Sequence, residues 1–216
     1  MRSILHIDAH DLTFTEEPNK LHKCVFDVLS ITFGDNGVPI DQSGRTYTIQ
    51  LPEELYRRAQ RDGLVYYVTV PVKKAGAYQL RMSLRDTATD RIGSASQFVE
   101  VPDLKKNRLS LSGLALRGYQ PPKSNGSSTN AANSQTANAD SPAADQEGID
   151  KGNAEASPAV RHFHTGMFLS YGFYIYNAHA EKTSAPQLMT QVILFHDGKP
   201  VFTGHQNPMA IDGSRM

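Results

Sequence analysis

Alternation of apolar and polar residues is the clearest signal in this chain. From Ala77 to Arg85, Tyr78, Leu80, Met82 and Leu84 fall on one side, and Gln79, Arg81, Ser83 and Arg85 on the other. Period two over that length predicts a half-buried strand. Leu64, Tyr66, Val68, Val70 and Val72 repeat the pattern, and Lys73-Lys74-Ala75-Gly76 would join the two strands as a hairpin. Tyr47, Ile49 and Leu51 form a further alternating set. Between Cys24 and Phe33 the parity changes: Phe26 and Val28 share one side, Leu29, Ile31 and Phe33 the other. Either both faces are covered or a bulge reverses the register after Val28. Asp35-Asn36-Gly37 follows and marks a tight turn. Ile92 to Val101 is a closing strand, and its Gly93-Ser94-Ala95-Ser96 run implies close packing against a neighbour.

One helix interrupts the strands, from Pro52 to Asp62. Pro52 suits a first helical position. Glu53 and Glu54 complement the positive end of the macrodipole, and Arg57, Arg58 and Arg61 the negative end. Glu53–Arg57 and Glu54–Arg58 have the favourable i,i+4 order. Gly63 can end the helix. Leu55 and Ala59 form a narrow apolar stripe, so the helix should cover the sandwich. About seven short strands with turn signals between them predict an immunoglobulin-like antiparallel β-sandwich over residues 1–118. The Cys-Trp-Cys hallmark of immunoglobulin domains is missing.

The pattern stops at residue 119. Between 119 and 160, Ile149 and Val160 are the branched aliphatics, and Ala, Asn, Ser, Gln, Asp, Gly and Pro dominate. So little apolar area cannot offset the entropy of ordering, which predicts a disordered linker over 119–160. Alternation returns in 161–216: Leu169, Tyr171, Phe173 and Ile175, then Leu188 to Phe195, then Val201 to Thr203 after the turn His196-Asp197-Gly198-Lys199. Three strands rarely make a domain, so this stretch reads as an incomplete second β module.

Composition narrows the function. The net charge is zero over 216 residues, which argues against a nucleic-acid partner. No stretch reaches the apolar length of a membrane-spanning helix. The N-terminus does not resemble a signal peptide, which as written places the chain in the cytoplasm. Cys24 is the sole cysteine and sits in an apolar run, which predicts a small buried hydrophobe.

Candidate chemistry is sparse. His162 and His164 form an H-x-H pair, but two ligands are too few for a metal, and His179, His196 and His205 add no familiar spacing. Asp8, Asp11, Glu16 and Glu17 lack the order of a calcium loop. Asp41-Gln42-Ser43-Gly44 reads as a polar loop. Asp86, Asp90 and Arg91 read as a structural turn cluster. Asn125-Gly-Ser matches a glycosylation sequon. No phosphate loop or nucleophile elbow occurs. Catalytic, cofactor-binding and metal-ligating residues are therefore not assigned, and no cofactor is expected. The partner expected is a protein, taken through exposed strand edges. The aromatic stripe Tyr171, Phe173, Tyr174 and Tyr176 is the candidate partner-binding site, with packing against further strands as its plain alternative. A carbohydrate-binding or hydrolytic β-sandwich is the other functional class, with Tyr66, Tyr67 and Tyr174 as its aromatic platform.

Several strings together resemble a family. They are Asp11-Leu-Thr-Phe-Thr, Ile31-Thr-Phe-Gly-Asp-Asn-Gly, Arg45-Thr-Tyr-Thr-Ile-Gln-Leu-Pro, Val68-Thr-Val-Pro-Val-Lys-Lys-Ala-Gly-Ala-Tyr-Gln-Leu-Arg, Ile92-Gly-Ser-Ala-Ser-Gln-Phe-Val-Glu-Val-Pro-Asp-Leu-Lys-Lys, Leu109-Ser-Leu-Ser-Gly, Tyr171-Gly-Phe-Tyr-Ile-Tyr-Asn-Ala and Phe195-His-Asp-Gly-Lys-Pro-Val-Phe. They resemble the C-terminal region of acidobacterial VWFA-related proteins. The resemblance implies a fragment of a periplasmic or secreted protein. The family's signal sequence and von Willebrand factor A domain have no counterpart here, so its metal ligands have no positions to occupy. The implied role is a non-catalytic accessory or interaction module.

Overall fold

The computed structural model describes residues 1–120, 147–178 and 188–209. Among the described residues the fold is all-β, built of antiparallel sheets with one α-helix. The chain divides into two compact units, residues 1–103 with 113–173, and residues 104–112 with 174–216.

In the first unit β1 (Arg2–Ile7) and β2 (Thr15–Glu16) precede the long hairpin of β3 (His22–Phe33) and β4 (Pro39–Leu51). Helix α1 (Glu53–Asp62) leads to β5 (Leu64–Thr69), β6 (Gly76–Asp86) and β7 (Ile92–Val101). Then come β9 (Ala115–Tyr119), β10 (Gly148–Asp150) and β11 (Phe168–Gly172), after β8 (Ser110–Leu111) of the second unit. Two sheets form a sandwich. The first has the order β1-β5-β10. In the second, β3 is central, with β4 along one side, β2 and β6 sharing the other, and β7 beyond β6.

One core joins the inner faces. Leu64, Tyr66 and Val68 of β5 meet Cys24, Phe26 and Val28 of β3, Tyr47, Ile49 and Leu51 of β4, and Leu80 and Met82 of β6. Phe26 is fully buried, with the rings of Tyr47 and Tyr66 at 5.7 and 5.6 Å. Burying an aromatic side chain of this size contributes about 2–3 kcal/mol.

The alternating sets in β4 and β6 lie where their periodicity places them. Helix α1 also does, with Ala59 buried and Leu55 and Tyr56 packed on the core. Pro52 occupies the N-cap. Gly63 ends the helix at φ +79°, its amide donating to the Ala59 carbonyl at 2.8 Å. A side chain there would collide with the His6 ring. Arg57 pairs with Glu53, whereas Arg58 donates to the Lys151 carbonyl. The Asn36-Gly37 turn closes the β3–β4 hairpin, with Gly37 at φ +75°.

Four sequence expectations are corrected. The β5–β6 hairpin does not form. Strand β5 pairs with β1 and β10 in one sheet, and β6 with β3 and β7 in the other, so the connection crosses the sandwich. Strand β3 keeps its register at Val28 and its inner face continues through buried Ser30 and Thr32. Their hydroxyls donate to the Ser43 and Asp41 carbonyls at 3.3 Å, which satisfies them inside the core. Leu29 therefore points outward, and the irregularity falls between Thr32 and Phe33. Among the described residues the small side chains of β7 meet no covering neighbour: Gly93 to Ser96 are exposed on the last strand of the sheet. Asp41 to Gly44 belong to strand β4, not to a loop.

The predicted linker also divides. Residues 121–146, including the Asn125 sequon, lie outside the described residues. Residues 147–160 are packed into the first unit, contrary to the reading of that stretch as disordered. Strand β10 pairs with β5, and Ala154, Ala156 and Ser157 are buried. Polar anchors replace the missing apolar area. Glu147 accepts from the Thr69 amide at 2.8 Å, Arg45 at 2.9 Å and the Tyr47 hydroxyl at 3.2 Å. Residues 161–173, assigned by sequence to a second module, likewise belong to the first unit.

In the second unit β8 pairs with β12 (Ile175–Tyr176). Strand β13 (Leu188–Thr190) pairs with β16 (Asn207–Met209), and β14 (Ile193–His196) with β15 (Lys199–Thr203). Asp197 at φ +50° and Gly198 at φ +73° form the tight turn between β14 and β15, the primed geometry that suits an Asp-Gly hairpin.

Candidate functional site

The buried titratable groups of the first unit are each tied into the frame. Asp150 is the centre of one cluster. Its carboxylate receives the Tyr67 hydroxyl at 2.8 Å, the Gly152 amide at 2.8 Å and both terminal nitrogens of Arg117. Arg117 also donates to the Tyr67 hydroxyl at 3.0 Å, and the Arg2 guanidinium lies 4.0 Å from the Tyr67 ring centre. Burial works against the Asp150 charge, but Arg117 and the Gly152 amide hold its carboxyl below the usual carboxylate range. The cluster fastens β9 and β10 to β5.

Asp86 is the second such group, fully buried at the end of β6. Its carboxylate accepts from the amides and hydroxyls of Thr13 and Thr89, at 2.6 to 3.2 Å. Burial raises its pKa, and these four hydrogen bonds outweigh it and hold the group low. The turn cluster with Asp90 and Arg91 is thus structural: Arg85 donates to Asp90 and Arg91 to the His10 carbonyl. Cys24 is buried as expected, and burial together with the Asp86 charge pushes its thiol up to about 12.

The acidic residues near the N-terminus do not converge. Asp8 accepts from the His10 backbone and ring, and Glu17 accepts from Gln50 and forms an ion pair with Lys23 at 3.5 Å. The proposed sugar platform is also dissolved: Tyr66 and Tyr67 are both buried, one in the core and one under Arg2 and Asp150.

The aromatic stripe is split by the fold. Tyr171 and Phe173 belong to the first unit, Tyr174 and Tyr176 to the second. Tyr171 and Phe173 stack with centres 6.5 Å apart and 5° between their planes. Tyr174 and Tyr176 lie 6.5 Å apart at 32°. The Tyr174 amide is fixed by the Ser112 hydroxyl at 2.8 Å.

What the structure adds around Tyr171 is a ribbon. Strand β11 pairs with β9 over five residue pairs, from Phe168↔Tyr119 to Gly172↔Ala115. The ribbon bears Tyr119 on β9 and Phe168, Leu169 and Tyr171 on β11, all exposed, with the Tyr119 and Phe168 rings 5.6 Å apart. Among the described residues β11 has no second neighbour, so one backbone edge is open. Sequence alternation marked β11 but not its partner: Ala115 to Tyr119 carries no clear pattern of its own.

One group of potential metal ligands occurs among the described residues: Glu155, His162 and His164, whose ligand atoms lie within 4.8 Å of one another. The sequence shows the two histidines as a pair, whereas Glu155 falls in the stretch whose composition predicts a linker. His205 and His196 do not join them, and His179 is outside the described residues. No helix among the described residues is long and apolar enough to cross a membrane.

The chain matches no protein-family model and no curated protein. Among solved structures it is similar to a calcium-binding mutant of Bacteroides uniformis beta-glucuronidase 2, at 11% identity and a TM-score of 0.30. That alignment covers 51% of this chain and 11% of the other, so the chain spans about a tenth of that protein's length.

Proposed function

We propose that this chain is a non-catalytic interaction module that takes a protein partner by strand addition at β11. The observation that carries the reading is the edge of β11 that has no neighbour among the described residues, with its exposed Phe168, Leu169 and Tyr171. A two-stranded ribbon is marginal in water, and a third strand both completes its hydrogen bonds and covers its apolar side chains. The structural engagement of Asp86, Asp150 and Cys24 supports a scaffold rather than acid–base or thiol chemistry. The sequence resemblance extends the proposal to a module of a VWFA-related envelope or secreted protein.

Photocrosslinking in the native cell tests it. A photoreactive residue at position 169 is expected to capture one defined protein, and one at the exposed Glu54 of α1 is not. Phe168→Ser with Tyr171→Ser should abolish capture without unfolding the sandwich. Equal capture from both positions, or capture that survives the double substitution, overturns the proposal.

A further inference from the structure

We propose that Glu155, His162 and His164 form a three-ligand site for a borderline divalent transition metal, Zn²⁺ foremost, with its remaining coordination position open to solvent. The site is independent of the strand-addition reading.

The local backbone builds it. The Asn153 side-chain oxygen accepts from the Glu155 amide at 2.9 Å and the Ala156 amide at 3.3 Å, which fixes the turn bearing Glu155. Buried Ala154, Ala156 and Ser157 hold that turn against the unit, and the Ala156 carbonyl accepts from the Gly118 amide at 2.8 Å. Arg161, at φ +61°, reverses the chain, and the His162 amide then donates to the Glu155 carbonyl at 2.8 Å. Phe163 sits between the histidines and lies against Gly118, where an added Cβ would meet its ring at 2.9 Å. Phe163 is half-buried while His162 and His164 are both exposed, and their imidazoles lie side by side.

The geometry suits a small ion. The His162 and His164 ring centres are 4.7 Å apart, and His164 Nε2 is 3.7 Å from a Glu155 carboxylate oxygen. Zinc binds imidazole and carboxylate at about 2.0–2.2 Å, so two ligand atoms on a tetrahedral ion lie roughly 3.3 Å apart. A set already within 4.8 Å closes on such an ion by side-chain rotation alone. A plain His164–Glu155 ion pair would be weak at half-exposed side chains, and it gives no part to His162. Two imidazoles select Zn²⁺, Ni²⁺ or Cu²⁺ over Ca²⁺, which prefers an all-oxygen shell. Three protein ligands and an open position are also the arrangement that leaves a metal accessible to a further ligand.

The test is calorimetric titration of the untagged full chain with Zn²⁺ and with Ca²⁺. One Zn²⁺ per chain is expected, with no saturable Ca²⁺ binding. His162→Ala, His164→Ala and Glu155→Gln should each weaken Zn²⁺ binding at least ~10-fold, since even indirect changes around a bound metal cost ~10–100-fold. Zinc X-ray absorption on the wild-type complex should report two imidazoles, which needs no variant to fold. Absence of saturable Zn²⁺ binding, a spectrum without imidazole, or full binding by the His162→Ala, His164→Ala double variant overturns the site. Calcium binding as tight as zinc overturns the metal class.

Discussion

Strand β5 and the hairpin β14–β15 are alike in sequence and opposite in burial. Leu64 to Val68 are buried on both faces, between β1 and β10 and over the core. Ile193, Leu194, Phe195, Val201 and Phe202 are all exposed, Phe195 by 63%. Both segments are β-branched and aromatic, and both pair antiparallel with a neighbour. The difference is the second layer. Backbone pairing makes a strand, but stability comes from the sheet that covers it. An apolar pattern therefore reports that a residue can be buried, and the fold decides whether it is.

Substitutions break or sharpen this contrast. Phe26→Ala should cost most, about 3–5 kcal/mol, because it opens a cavity between Tyr47 and Tyr66. Urea unfolding measures it, and a loss below about 1 kcal/mol would mean the core is not the one described. Arg117→Met should cost about 3 kcal/mol by leaving the Asp150 carboxylate buried without its cation. A loss of that size would tie residues 147–157 to the stability of the sandwich. A negligible loss would separate them.

Acid titration gives a further measure. Asp86 and Asp150 are both held below the ordinary aspartate value. Their contribution is complete above the unfolded pKa of about 3.9 and is lost as pH falls through the lower folded values. The urea midpoint should therefore drop between pH 4 and pH 2. Asp86→Asn should cost about 1–3 kcal/mol at pH 7, by turning donors toward Thr13 and Thr89, and should flatten part of that acid slope. An unchanged slope would remove Asp86 from the account. Last, Phe195→Ser should change stability by no more than about 0.5 kcal/mol, as for a surface site. A cost rivalling Phe26→Ala would show that the hairpin is covered in solution.

The strands of β4 and β6, the helix and the Asn-Gly turn were legible because each signal is local. Period two, capping and turn chemistry are written in adjacent residues. The partners of β5 were not, because a short loop after a strand is compatible with either a hairpin or a crossing between sheets. Ser30 and Thr32 hid the register of β3, since polar side chains on an inner face look like a change of face until their carbonyl partners are known. Composition misled over residues 147–160, where Glu147 and Asp150 supply through hydrogen bonds what apolar side chains supply elsewhere. The candidate edge was half visible: Tyr171 stood out, while its partner strand β9 did not. Glu155 could not be joined to His162 and His164 by spacing alone, because the turn at Arg161 brings them together.

By itself the sequence determined that this chain is a β protein, with one capped helix, a buried thiol and an apolar aromatic run before residue 178. Those are consequences of side-chain period and local backbone preference. Tertiary structure decided which strands share a sheet, which apolar faces are covered, and which polar side chains meet. These depend on contacts between residues far apart in the chain, such as Tyr67 with Asp150 and Glu147 with Arg45, and no local pattern encodes a distance through space.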